Sequence, residues 1–262
     1  MRLLSCSRVR LLGLIVLAIL AAPKIARAQT DEIQVYDGGL AEPGKINLTV
    51  HSNFTPRGAK DPAFPNGLIP DKSFNSVPEW ALGVTNWFEA GLYLPVWSVS
   101  KHRGATLDSM KLRALFAVPH ADDRTFFYGM NFEFSYNGRQ WDTSRFTNEV
   151  RPIVGLHLRK KVDLIFNPIL DNFWQNGLRG IEFVPAERIA YNFDKKSSFA
   201  IEEYADYGPL RGFMPANDQV HQIYGVIDHS AKFADIEFGV GVGVTGASDK
   251  WTIKLMFSRD LN

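Results

Sequence analysis

Six histidines, one glycine-rich run and charges set on alternating positions are what this 262-residue chain offers to chemistry. His51, His157, His221 and His229 fall in different stretches, and no two histidines stand at a metal-binding spacing such as H-E-x-x-H. No metal site is therefore expected. Gly241-Val-Gly243-Val-Thr-Gly246 fits G-x-G-x-x-G, which needs a helix directly after it whose N-terminus can hold a pyrophosphate. These glycines lead instead into a turn at 247–250 and an alternating stretch from Trp251, so no nucleotide cofactor is expected. No G-x-S-x-G context marks a nucleophile, and no catalytic residue is assigned. There remains a set of polar side chains at every second position: Glu89, Lys111, Arg113, Asn131, Glu133, Glu149, Arg151, His157, Asp163, Asn167, Asp235, Glu237 and Lys254. If these share the inside of a barrel, they line a lumen in which charge biases permeation. Alternatively, opposite charges pair across strands and fill it. The sequence leaves both readings open.

The elements that would position them are strands. From Phe126 to Tyr136, Phe126, Tyr128, Met130, Phe132, Phe134 and Tyr136 share one face, while Phe127, Gly129, Asn131, Glu133 and Ser135 share the other. Side chains alternate across a strand, so this is a strand with one apolar side and one largely polar side. The rhythm recurs about twelve times after residue 45. Phe88, Ala90, Leu92, Leu94 and Val96 oppose Glu89, Gly91 and Tyr93. Met110, Leu112, Ala114, Phe116 and Val118 oppose Lys111 and Arg113. Stretches near 181–191, 198–206 and 219–228 alternate less cleanly. Connections are mostly short after every even-numbered strand. They are longer after strands one, three, five, seven and nine, at about 53–78, 99–107, 137–147, 169–180 and 207–218, while the last connection, 245–249, breaks the trend by being short. The expected fold is therefore all-β: a single antiparallel transmembrane β-barrel of about twelve strands, with short periplasmic turns and longer extracellular loops. Trp87, Phe88, Trp97, Phe126, Tyr136, Phe199 and Trp251 gather near strand ends, as interfacial girdles do.

Arg2, Arg8 and Arg10 precede an apolar run from Leu11 to Ala22 and an Ala26-Arg27-Ala28 site. This reads as an export signal, 1–28, removed after Ala28. Its loss takes five of the 29 basic residues and none of the 28 acidic ones, leaving 24 against 28 and a net charge of −4. That balance gives no support to nucleic-acid binding. The single cysteine, Cys6, lies in the leader, so the remainder can form no disulfide. Residues 29–45, with a short strand expected around Ile33 and Val35, read as a periplasmic lead-in, and 46–262 as the barrel.

One hairpin adds a family likeness. Gly83-Val84-Thr85-Asn86-Trp87-Phe88-Glu89-Ala90-Gly91-Leu92-Tyr93-Leu94-Pro95 resembles the G-[hydrophobic]-T-[D/N]-x-x-E-x-G-x-x-x-P hairpin of Gram-negative outer-membrane barrels of the meta-pathway of phenol degradation family. Asn86 stands where that family usually has Asp, and both accept the positive φ of tight hairpins. The close match covers about 79–97. It implies the cell outer membrane, transport of small solutes (hydrophobic or aromatic ones among them), and as partners the outer-membrane lipids and the barrel-assembly machinery. That machinery reads a terminal aromatic in many barrels; here Phe257 is followed by Ser-Arg-Asp-Leu-Asn, which sets this chain apart or implies an internal signal. The function expected is a porin-like channel rather than an enzyme. The alternatives are a plugged structural barrel or lipid-acting outer-membrane enzyme, and a soluble periplasmic binding barrel.

Overall fold

The computed structural model describes residues 32–159 and 161–262, so the expected export signal lies outside the described residues. Twelve strands form the wall. They are β1 (Ile46–Arg57), β2 (Ser73–Thr85), β3 (Phe88–Ser100), β4 (Gly104–Ala117), β5 (Phe126–Asn137) and β6 (Phe146–Leu158). β7 (Val162–Asn167, resumed at Leu170–Phe173), β8 (Ile181–Phe183 and Ala186–Asn192) and β9 (Ser197–Asp206 with Gly208–Pro209) are interrupted. β10 (Val220–Ser230), β11 (Asp235–Gly243) and β12 (Trp251–Asp260) complete the set. Every neighbouring pair is antiparallel, and β1 pairs with β12 from Asn47↔Asp260 to Phe54↔Ile253, which closes the sheet and leaves no edge. Closure gives each strand a partner on both sides within the wall, the condition for strands to cross hydrocarbon.

The outward face is apolar. Leu112 is 54% exposed, and Leu82, Phe132, Phe166, Ile201, Phe238 and Leu255 are likewise exposed, while the residues between them are buried. Such a continuous apolar belt would make a soluble protein aggregate. It suits a barrel wall in lipid. Trp87, Phe126, Tyr136, Phe199 and Trp251 are exposed near the strand ends, as a girdle requires.

Turns gather at one end of the barrel and loops at the other, with two exceptions: at the turn end the β4–β5 connection runs over 118–125 and carries a short helical turn at Ala121–Asp123. The third connection shrinks to 101–103, because β3 and β4 stay paired out to Ser100↔Gly104. The first loop is also shorter than its prolines suggest. Pro56 and Pro78 lie within strands, at register shifts between Phe54 and Arg57 and between Ser76 and Glu79. Proline lacks an N–H for the ladder, so a strand accommodates it at a bulge. Pro95 does the same between Tyr93 and Val96, and the extra residue reverses the alternation. Val96, expected outward with Leu92 and Leu94, is instead fully buried inside, where it meets Val77, Tyr93, Trp141 and Leu68.

The largest departure concerns the segment before β1. Residues 32–43 form no strand, and they do not lie outside the barrel. Glu32, Ile33, Val35 and Tyr36 are buried, with Val35 and Tyr36 packed among Leu115, Phe127, Ile153, Ile165 and Ile169. The segment enters at the turn end, where Ala41 and Glu42 cross β2 at Gly83. A Cβ on Gly83 would sit 2.2 Å from the Glu42 carbonyl oxygen, so only glycine admits the chain at that point.

Candidate functional site: a charged lumen threaded by the N-terminal segment

Alternation sends the polar residues of β1–β6 to one inner wall. Arg113 on β4 bonds Glu79 Oε1 at 2.6 Å and also pairs with Glu89. His51 Nε2 is 2.9 Å from the other Glu79 oxygen. Lys111 lies 3.4 Å from Glu133, which also accepts from Asn131 Nδ2 at 3.0 Å. On β6 the Arg151 guanidinium forks onto Glu149 at 2.7 and 3.2 Å, the bidentate geometry that fixes an arginine most firmly. A second wall, β8–β12, carries its own network. Lys254 Nζ sits 2.5 Å from both Glu202 and Glu237, and Arg188 pairs with Glu202 and Asp228. Nearer the turn end, His157 Nδ1 meets Asp163 at 2.7 Å, and Phe127 stacks on the imidazole. Charges this far from water persist only when paired and hydrogen-bonded, and each wall meets that need largely from neighbouring strands.

The N-terminal segment runs between these walls and is held by its backbone. Lys254 Nζ donates to the Ile33 carbonyl (3.2 Å) from one wall, and Arg151 Nη1 to the Gln34 carbonyl (3.1 Å) from the other. Asn167 makes a two-way bond with Tyr36: its Oδ1 accepts the Tyr36 N–H at 2.7 Å, and its Nδ2 donates to the Tyr36 carbonyl at 3.0 Å. A side-chain amide thus replaces the missing strand partner. Glu89 Oε2 accepts the Ala41 N–H at 2.5 Å. The Tyr36 ring lies against Arg151 (4.3 Å to the centroid), and its hydroxyl meets that of Tyr93 at 2.6 Å.

Of the residues expected on the inner face, Glu89, Arg113, Asn131, Glu133, Arg151, Asn167 and Lys254 are buried, and Lys111, Glu149, His157, Asp163 and Glu237 are partly so. Asp235 stands apart, exposed at the turn end of β11. Sequence reading assigned no role to Glu32, Tyr36, His51, Glu79, Tyr93, Arg188 or Glu202. Parity could have found His51, which follows Thr49 on the face opposite Leu48 and Val50, and Glu79, which lies between Pro78 and Trp80. Arg188 and Glu202 were hidden because Glu187 and Glu203, beside them, are polar on the opposite face.

The described residues hold no group of three or more His, Cys, Asp or Glu side chains able to bind a metal. Ser197 Oγ lies 3.0 Å from His229 Nδ1, but on the exposed turn end rather than in the lumen. The loop end is capped by Leu68, Trp141, Val77, Val96 and Tyr93. The interior therefore runs from an apolar cap through paired charges to an apolar cluster around Val35 and Tyr36.

The fold is that of outer-membrane β-barrels. An outer membrane channel from Pseudomonas putida F1 superposes with a TM-score of 0.57 at 13% identity, over 88% of this chain and 100% of that one. The KdgM porin gives 0.54 at 8% identity (82% and 99%), and the NanC porin 0.53 at 9% (82% and 99%). No protein-family model matches the sequence, and no curated protein is similar to it in sequence. The phenol-degradation likeness of the 83–95 hairpin therefore stays a likeness, and the solved structures support the barrel fold.

Proposed function

We propose that this protein is an outer-membrane channel for small solutes, exported by residues 1–28, whose own N-terminal segment closes the lumen. One observation carries the reading: the barrier is tied to the wall by side chains to backbone, through Glu89, Arg151, Asn167 and Lys254, and not by strand pairing. Bonds of this kind are worth about 0.5–3 kcal/mol each, so the segment can leave without unfolding the barrel. The fold likeness to an outer membrane channel and two porins supports the same class. The apolar cap of Leu68, Val77, Val96 and Trp141 at the loop end favours uncharged, apolar or aromatic solutes over ions.

Purified protein in planar bilayers should conduct weakly, and a variant lacking residues 32–40 should conduct steadily. If the deletion variant folds, as judged by its gel shift on boiling, and stays electrically silent, the channel reading fails. A plugged structural barrel would then be the better description.

A further inference from the structure

The outward face breaks its own rule at one place. On β8, Ala186 and Ala190 are buried and Arg188 pairs inside the lumen, so Glu187 points outward with Ile189 (60% exposed) and Tyr191. Directly opposite Glu187 in the β8–β9 ladder stands Glu203, on the same face as Phe199 and Ile201. His221 of β10 joins them, its Nδ1 2.8 Å from Glu203 and its Nε2 3.1 Å from Gln219. Away from the strand ends, the other outward strand positions among the described residues carry no charge.

The height of Glu187 sharpens the anomaly, while His221, the second residue of β10, reaches down to Glu203 from nearer the loop end. Glu187 is five residues from the end of β8 at Asn192, about 17 Å along the strand. With the usual strand tilt that is roughly 13 Å across, near the middle of an apolar belt about 25 Å tall. Two carboxylates side by side also repel each other. A lipid headgroup cannot reach that depth, and an acyl chain offers nothing to an acid. A protein wall can bring a cation or a hydrogen bond there.

We propose that this face, β8–β10, is a homodimer interface within the membrane, an inference that rests on the outer-membrane reading above. The patch can complement itself: a two-fold axis through it brings Glu187 of one copy beside the Glu203–His221 pair of the other, where the imidazole Nε2 exchanges Gln219 for the new carboxylate, as an isologous contact requires. Gly225, on the same face, would have nothing closer than the Phe199 ring at 3.9 Å around an added Cβ. The missing side chain leaves room there for another wall to approach closely.

Because the single cysteine is Cys6 in the leader, the exported chain is ready for cysteine cross-linking. Ile189→Cys, Ile201→Cys and Ile223→Cys should be oxidised one at a time in isolated outer membranes, with Leu82→Cys and Leu112→Cys on β2 and β4 as controls. At least one β8–β10 position should give tenfold more disulfide-linked dimer than either control. Adding Glu187→Lys should return it to control level while the gel shift on boiling persists. Yields no higher than the controls, from barrels that insert and run as monomers, would overturn the dimer alone. Recovery of the protein from the periplasm without detergent would overturn the membrane reading beneath it.

Discussion

Asn167→Leu isolates the lock on the N-terminal segment. Asn167 is fully buried, and its two bonds to Tyr36 are the most strand-like of those holding the segment. Leucine is close to asparagine in size, so the substitution leaves no large cavity. It leaves the Tyr36 N–H and carbonyl buried with no partner. Each orphaned group costs about 1–3 kcal/mol, so the plugged state should lose about 2–6 kcal/mol against a state in which the segment has moved into water. At 1.4 kcal/mol per tenfold, the unplugged-to-plugged ratio rises by at least roughly 30-fold. The barrel itself should be unaffected, because its ladders do not involve this amide. Single-channel recording in planar bilayers reads the ratio as open probability, with the variant lacking 32–40 as the fully open reference. If the deletion conducts while Asn167→Leu stays within twofold of the parent protein, the amide does not hold the segment and the reasoning fails.

Four further outcomes are expected. Lys254→Met should lower the unfolding free energy in detergent by about 3–5 kcal/mol, read from denaturation curves, because Glu202 and Glu237 lose the cation between them; adding Glu202→Gln should recover part of it. Leu112→Arg should cost about 2–4 kcal/mol by placing a charge in lipid, read as a smaller assembled fraction on unheated gels. Leu68→Ala should loosen the cap by about 2 kcal/mol and raise proteolysis within 58–72. Burial pushes the Asp249 carboxyl above its ordinary 3.8, against the hydrogen bond it accepts from the Ala59 N–H. A raised acid favours the folded state while protonated, so its contribution is lost as pH rises from 3.8 through the folded value. Asp249→Asn should remove that slope from the pH dependence of thermal stability.

Sequence alone determined what depends on local alternation. The inward placement of Glu89, Arg113, Glu133, Arg151 and Lys254, and the outward placement of Leu112 and Phe132, come from a period of two in strands whose two faces differ in polarity. Most of the division between turns and loops was legible too, from the spacing of those strands. Alternation stopped being readable where a residue was added or where both faces were polar. Pro95 reversed the parity and took Val96 inside, and Glu187 beside Arg188 and Glu203 beside Glu202 erased the contrast on β8 and β9. Only the tertiary structure decided the rest. Tyr36 meets Asn167 across 131 positions, and Lys254 reaches Ile33 across 221. No local pattern encodes such a contact, because it exists only once the wall has closed and its inner side chains face a strand-like segment with no strand to pair with.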